Sequence, residues 1–166
     1  DPADASILNN LAYVYADNDR RLDRAETLIN RALAHEPGQP AFLDTRAWVY
    51  YKQGKFLEAG RELEVLVQSP TEFGMIPPAE PEGPLVDHPV ILDHAGDTYY
   101  RLGWTDKARE MWTIALEKAK EQAEEQAGTV ADVQRVIRDA AAKLKALEAR
   151  RTPPLAESPA TEATLD

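Results

Sequence analysis

Three histidines, His35, His88 and His94, are the side chains best suited to proton transfer or metal ligation, and two follow an aspartate, in Asp87-His88 and Asp93-His94. A metal or acid–base site needs such groups to converge at a fixed spacing. These two pairs sit in a loop and then a helix and show no ligand spacing, so the histidines read as surface residues. The chain has no cysteine. That removes disulfides, thiolate zinc sites and a cysteine nucleophile together. There is no glycine-rich phosphate loop and no nucleophile elbow. Acid pairs such as Glu124 and Glu125 fall on a polar helix and read as solvated. The residues therefore assign no catalytic group, no metal ligand and no cofactor, and they point away from an enzyme. An accessory or regulatory role beside a catalytic domain in a longer protein stays as an alternative.

Charge narrows the partners. The 166 residues carry a net charge of −10, which disfavours non-specific binding to nucleic acid. The charge is uneven: residues 135–151 hold six Arg or Lys against Asp139 and Glu148, a net of +4. No apolar run is long enough to span a bilayer. The compartment is left open between cytoplasm and periplasm.

The elements that carry these residues repeat. Leu43, Asp44, Ala47, Tyr50, Tyr51, Gly54, Ala59, Leu63 and Leu66 recur 49 positions later as Leu92, Asp93, Gly96, Tyr99, Tyr100, Gly103, Ala108, Trp112 and Ala115. A third copy lies nearer the start. Leu8, Ala12 and Tyr15 precede Leu43, Ala47 and Tyr50 by 35, and Ala25, Ile29 and Ala32 precede Ala59, Leu63 and Leu66 by 34. Apolar residues within each copy follow helical spacing, so each copy reads as two helices. Gly54 and Gly103 close the first helix with a residue free to take a left-handed conformation. Ala59 and Ala108 are small where two helices must cross closely, Ala47 and Gly96 are their small partners, and Leu63 or Trp112 fills the space one turn later.

This pattern resembles the tetratricopeptide repeat (TPR) family, and bacterial members in particular, over about residues 3–118. The residues that carry the resemblance are Leu92, Gly96, Tyr99, Gly103, Ala108, Trp112 and Ala115, with their partners in the other copies. The resemblance implies an all-α fold, a right-handed α-α superhelix of three helix-turn-helix repeats within residues 1–128. Two departures are visible. The first copy has an extra residue in its inter-helix turn, with Asp19 where the others have glycine. Fifteen extra residues also separate the second and third copies. They fall within a proline-rich insertion at about 69–88 that holds Phe73, Met75 and Ile76. It reads as a loop, with a lid beside a groove as the alternative. Asp1-Pro2 matches the helix-ending Glu36-Pro37 and suggests an earlier repeat.

After the third copy, Gly128 breaks the helix, and Thr129 with Asp132 gives a capping-box-like start. A further helix over 129–151 carries Val130, Val133, Ile137, Ala140, Leu144 and Leu147 on one stripe. It is expected to cap the terminal repeat. The alternative is that this basic helix joins copies into a homo-oligomer. Residues 152–166 read as a disordered tail.

By resemblance, TPR arrays hold a peptide or protein on the concave face lined by their first helices. Along that face the sequence places Asn9, Tyr13, Asp44, Trp48, Tyr51, Asp93, Asp97 and Tyr100. Asn9, Asp44 and Asp93 make a polar-to-acidic row; Tyr13, Trp48, Tyr51 and Tyr100 supply aromatic surface. No Lys or Arg is among these face positions, so the acidic row is expected to lack a basic neighbour. The expected partner is therefore a basic or apolar segment, and the expected role a non-enzymatic interaction scaffold.

Overall fold

The computed structural model describes residues 2–67, 88–125 and 131–157. They form α1 (Pro2–Asp17), α2 (Leu22–His35), α3 (Pro40–Lys52), α4 (Phe56–Val67), α5 (Pro89–Arg101), α6 (Thr105–Glu125) and α7 (Ala131–Glu148). No strand occurs among the described residues. The helices pair as α1–α2, α3–α4 and α5–α6, one hairpin per sequence repeat, and α7 packs on the last hairpin. The all-α repeat architecture expected from the periodicity is present. Pro2 opens α1, as Pro40 opens α3 and Pro89 opens α5. Proline suits this position because the first helical N–H has no partner within the helix. The Phe73, Met75 and Ile76 cluster, Gly128 and Thr129 lie outside the described residues.

Each first helix ends in the same way. The N–H of Gly54 donates to Tyr51 C=O (2.9 Å) and that of Lys55 to Tyr50 C=O (2.9 Å); Gly103 and Trp104 repeat this on Tyr100 (3.0 Å) and Tyr99 (2.9 Å). This crossed pair satisfies two of the carbonyls a helix end leaves open. It requires a left-handed residue, and Gly54 and Gly103 have φ of 75° and 83°. In the first repeat Asp19 adopts it instead, at φ 53°, with the matching bonds to Ala16 and Tyr15. Aspartate is among the few non-glycine residues that tolerate this conformation. The extra residue of this turn leaves Arg21 left-handed as well, at φ 51°.

The described helices form two compact units, α1–α4 and α5–α7. In the first, α3 packs on α1, α2 and α4. It is consequently buried around most of its surface, including Phe42, Ala47 and Val49. Ala25, Ile29, Ala59 and Leu63 complete that core. Burying each large aliphatic side chain contributes roughly 1.5–3 kcal/mol. Arg46 on α3 donates from one guanidinium nitrogen, Nη2, to both carboxylate oxygens of Glu62 on α4, at 2.7 and 2.8 Å. The second hairpin is also tied to the first. Glu26 on α2 accepts from Gln53 (2.9 Å) and Lys55 (3.2 Å). The Gln53 hydrogen bond, opposed by burial and aided by Lys55, holds the Glu26 carboxyl below its ordinary value. On α1, Ile7, Leu11 and Val14 remain exposed at i, i+4 and i+7.

In the second unit the helix crossing is set by Gly96. A methyl group there would fall inside the Trp112 ring, against Cδ1 and Nε1, with Cε2 at 2.9 Å. Trp112 itself is fully buried, as are Ala108 and Ala115. α6 runs on past the repeat to Glu125, and α7 packs along it and against α5. Val133, Val136 and Ala140 of α7 are buried, while Ile137, Leu144 and Leu147 are half-buried. The buried stripe of α7 is turned toward Val136 and Lys143.

Candidate functional site

The eight residues expected on the first-helix face occupy three repeat positions, each read successively from α1, α3 and α5. Asn9, Asp44 and Asp93 share the first position. Tyr13, Trp48 and Asp97 share the second. Ala16, Tyr51 and Tyr100 share the third. Their surroundings differ from helix to helix.

On α1, Asn9 and Tyr13 are half-buried. Asn9 Oδ1 is buried without a hydrogen-bond partner among the described residues, while its Nδ2 donates weakly to Asn10 (3.4 Å).

On α3 the expected surface is interior. Asp44 is 6% exposed, Trp48 3% and Tyr51 0%. Trp48 and Tyr51 stack at 4.9 Å between ring centroids, and Tyr51 meets Phe56 edge-on at 5.3 Å. Lys52 lies 5.4 Å over the Trp48 ring and its ammonium reaches Asp19 at 2.8 Å. The expectation of open aromatic surface at Trp48 and Tyr51 is thus corrected. Large rings at these positions pack with neighbouring side chains because their apolar area is worth more buried than wet.

On α5 the carboxylates are compensated. Lys143 of α7 reaches Asp93 at 2.8 Å and Asp97 at 2.6 Å. Asp97 Oδ1 also accepts the indole N–H of Trp112 at 3.1 Å, and the Lys143 ammonium lies 5.6 Å over that ring. Lys143 and Asp97 are almost fully buried, at 2% and 1% exposed. Burial pulls the Lys143 ammonium down, but attraction to Asp97 and then Asp93, with hydrogen bonds to both, outweighs it and raises its pKa. Burial pushes the Asp93 carboxyl up, against the pull of Lys143, and the nearby Asp97 adds to the rise. Each group of the cluster is thereby paired and hydrogen-bonded, the condition under which a buried ion pair is tolerated. The expected acidic row with no basic neighbour is therefore overturned at α5: its counter-ion arrives from a helix 50 residues downstream. Lys143 is also spoken for within its own unit, which removes it from any surface through which a basic helix would join copies.

A second feature of α5 lay outside the sequence reading. Residues 152–157, expected to be disordered, are described, and Pro153 is buried. The N–H of Ala156 donates to Asp97 Oδ2 (3.3 Å), and its C=O accepts from the Arg101 guanidinium (3.3 Å). Tyr100, the remaining expected residue, is half-buried beside Trp112, with ring centroids 5.9 Å apart. Arg150, left-handed at φ 52°, ends α7 with the same crossed bonds seen after α3 and α5 and turns the chain toward this face.

His94, expected at the surface, is 3% exposed, whereas His35 and His88 are exposed. Among the described residues, no three His, Asp or Glu side chains converge on a point that could hold a metal ion. Among the same residues, no helix is long and apolar enough to cross a membrane.

No family model matches the chain. Over 68 residues, 41% of its length, it is 40% identical to a TPR repeat-containing protein of Pseudomonas aeruginosa, and the match spans only 12% of that protein. With this match and its three similarly closed helical hairpins, the chain resembles the tetratricopeptide repeat proteins, bacterial ones in particular.

Proposed function

We propose that this chain is a non-enzymatic scaffold that holds a segment of a protein partner against the first helices of its hairpins. The observation that carries this reading is on α5, where Asp97 and Arg101 grip both polar atoms of the Ala156 backbone. A helix face that holds one short non-helical segment by its main chain has the chemistry to hold another. The resemblance to TPR proteins supports the same role. So do Asn9 and Tyr13, both half-buried on α1, where the Asn9 amide oxygen has no hydrogen-bond partner among the described residues.

The ligand that fits is an apolar or small-residue segment bound largely through its backbone. A strongly basic ligand loses its rationale at α5, because Lys143 already neutralises the carboxylates there. The net charge of −10 still favours neutral or basic partners over acidic ones.

The test uses peptides selected from a random display library on the full chain. Replacing Asn9 and Tyr13 together by alanine is expected to lower the affinity of at least one selected peptide class about tenfold, a loss of about 1.4 kcal/mol. Arg31→Ala, on an exposed position of α2, is the control and should leave it unchanged. Equal effects from the two variants would remove α1 from the binding face.

A further inference from the structure

The segment after α7 is seated in a defined way. Pro153 is buried, Leu155 and Ala156 are half-buried, and Thr152 and Pro154 face solvent. Its hydrogen bonds to α5 use no side chain of its own. The Ala156 N–H goes to Asp97 Oδ2 and its C=O receives Arg101, both at 3.3 Å. Asp97 is fixed independently of this contact, because its other oxygen is held by Trp112 Nε1 (3.1 Å) and by Lys143 (2.6 Å). An acceptor on one side and a donor on the other, one helical turn apart on α5, form a two-point grip on a peptide unit. A grip of that kind reads main chain rather than sequence. A rigid acceptor also lowers the ordering cost of any segment that docks there.

We propose that Asp97 and Arg101 form a peptide-backbone clamp whose resident occupant is the chain's own 152–156 segment, so that a partner segment binds there only by displacing it. The proposal rests on the scaffold reading above and adds its regulation. The partner segment is a non-helical one with a small residue at the clamp, an apolar residue directly before it and a proline three positions before it, as Leu155 and Pro153 stand to Ala156. The resident segment has a large advantage. It leaves α7 through the turn at Arg150, so only a few residues tether it. A short tether gives an effective concentration on the order of 1 mM. A free peptide with an intrinsic Kd of about 0.1 mM would then bind roughly tenfold more weakly than to an open clamp. Whatever lifts the segment away would switch the site on.

The experiment uses the full chain and a fluorescent peptide with the sequence of residues 151–158, read by polarisation. Ala156→Pro removes the N–H that donates to Asp97 and leaves the clamp residues untouched. The variant should bind the added peptide about tenfold more tightly than the parent chain does. Adding Arg101→Ala to that variant should abolish the gain, and circular dichroism should show both variants folded. Parent and Ala156→Pro chains binding the peptide equally, or a folded Ala156→Pro chain binding none, would overturn the clamp. Loss of helix in Ala156→Pro would also overturn it, because the segment would then be a structural strap. These failures would remove the support that α5 lends the scaffold reading, whose own test runs separately on α1 through Asn9 and Tyr13.

Discussion

Replacing Lys143 by methionine removes the cation that pairs with both Asp93 and Asp97 and keeps a side chain of similar length. The ammonium is 2.8 Å from Asp93 and 2.6 Å from Asp97, and the residue is 2% exposed. Methionine would still cover Trp112, so the apolar contact is largely kept. What is lost is the charge that allows two carboxylates to sit together. Removing one partner of a buried ion pair costs about 3–5 kcal/mol, because the remaining charge stays buried without compensation. For a unit of this size each kcal/mol lowers Tm by roughly 4–8 °C, so the α5–α7 unit should melt at least about 12 °C lower. Urea unfolding combined with hydrogen exchange of the α5 and α7 amides reads this directly. Combining Lys143→Met with Asp93→Asn should recover part of the loss, with a coupling of about 1–3 kcal/mol. A cost below about 1 kcal/mol in the single variant, with additivity in the double variant, would refute the view that this cluster organises the unit.

Three further outcomes follow from the same geometry. The Lys143 pKa is raised in the folded chain, so its contribution to stability is fully present below the unfolded value of about 10.4 and is lost as pH rises through the folded value. Alkaline denaturation followed by circular dichroism should therefore be steeper for the parent than for Lys143→Met. Gly96→Ala places a methyl group inside the Trp112 ring. It should cost about 1–3 kcal/mol by overpacking and shift the fluorescence of the displaced indole. Ile7→Ser with Val14→Ser changes only exposed positions on α1. This pair should stay within about 0.5 kcal/mol per site of the parent in a thermal melt and reduce any self-association seen by light scattering.

The helices and their pairing were legible in the sequence because their signals are local. A 3.6-residue period, a glycine one step past the helix end and a small residue at the crossing each act within one hairpin. Gly54, Gly103, Ala59, Ala108 and the Gly96–Trp112 pair all stand where those signals put them. The interaction face was legible only in part, because its state depends on partners far along the chain. Asp93 and Asp97 carry no sequence mark that a lysine will arrive from α7. Lys143 did carry one, weakly: it lies three residues after Ala140 and ten after Val133, on the buried stripe itself. A charge at such a position is usually read as the edge of a solvated face. The same limit hid the burial of Trp48 and Tyr51. Helical spacing places them on one face but cannot say whether other side chains cover it. The seating of Ala156 had no sequence signal, since its contacts to α5 are made by backbone atoms and run 55 and 59 residues back along the chain.

The central claim is that the first helices hold a protein segment. Hydrogen exchange of the full chain, with and without a display-selected peptide at saturation, tests it most directly. The account predicts that added protection falls on α1, α3 or α5, and that at α5 it comes with faster exchange of the Ala156 amide as the resident segment leaves. Protection confined to α2, α4 and α6, with α1, α3 and α5 unchanged, would contradict it.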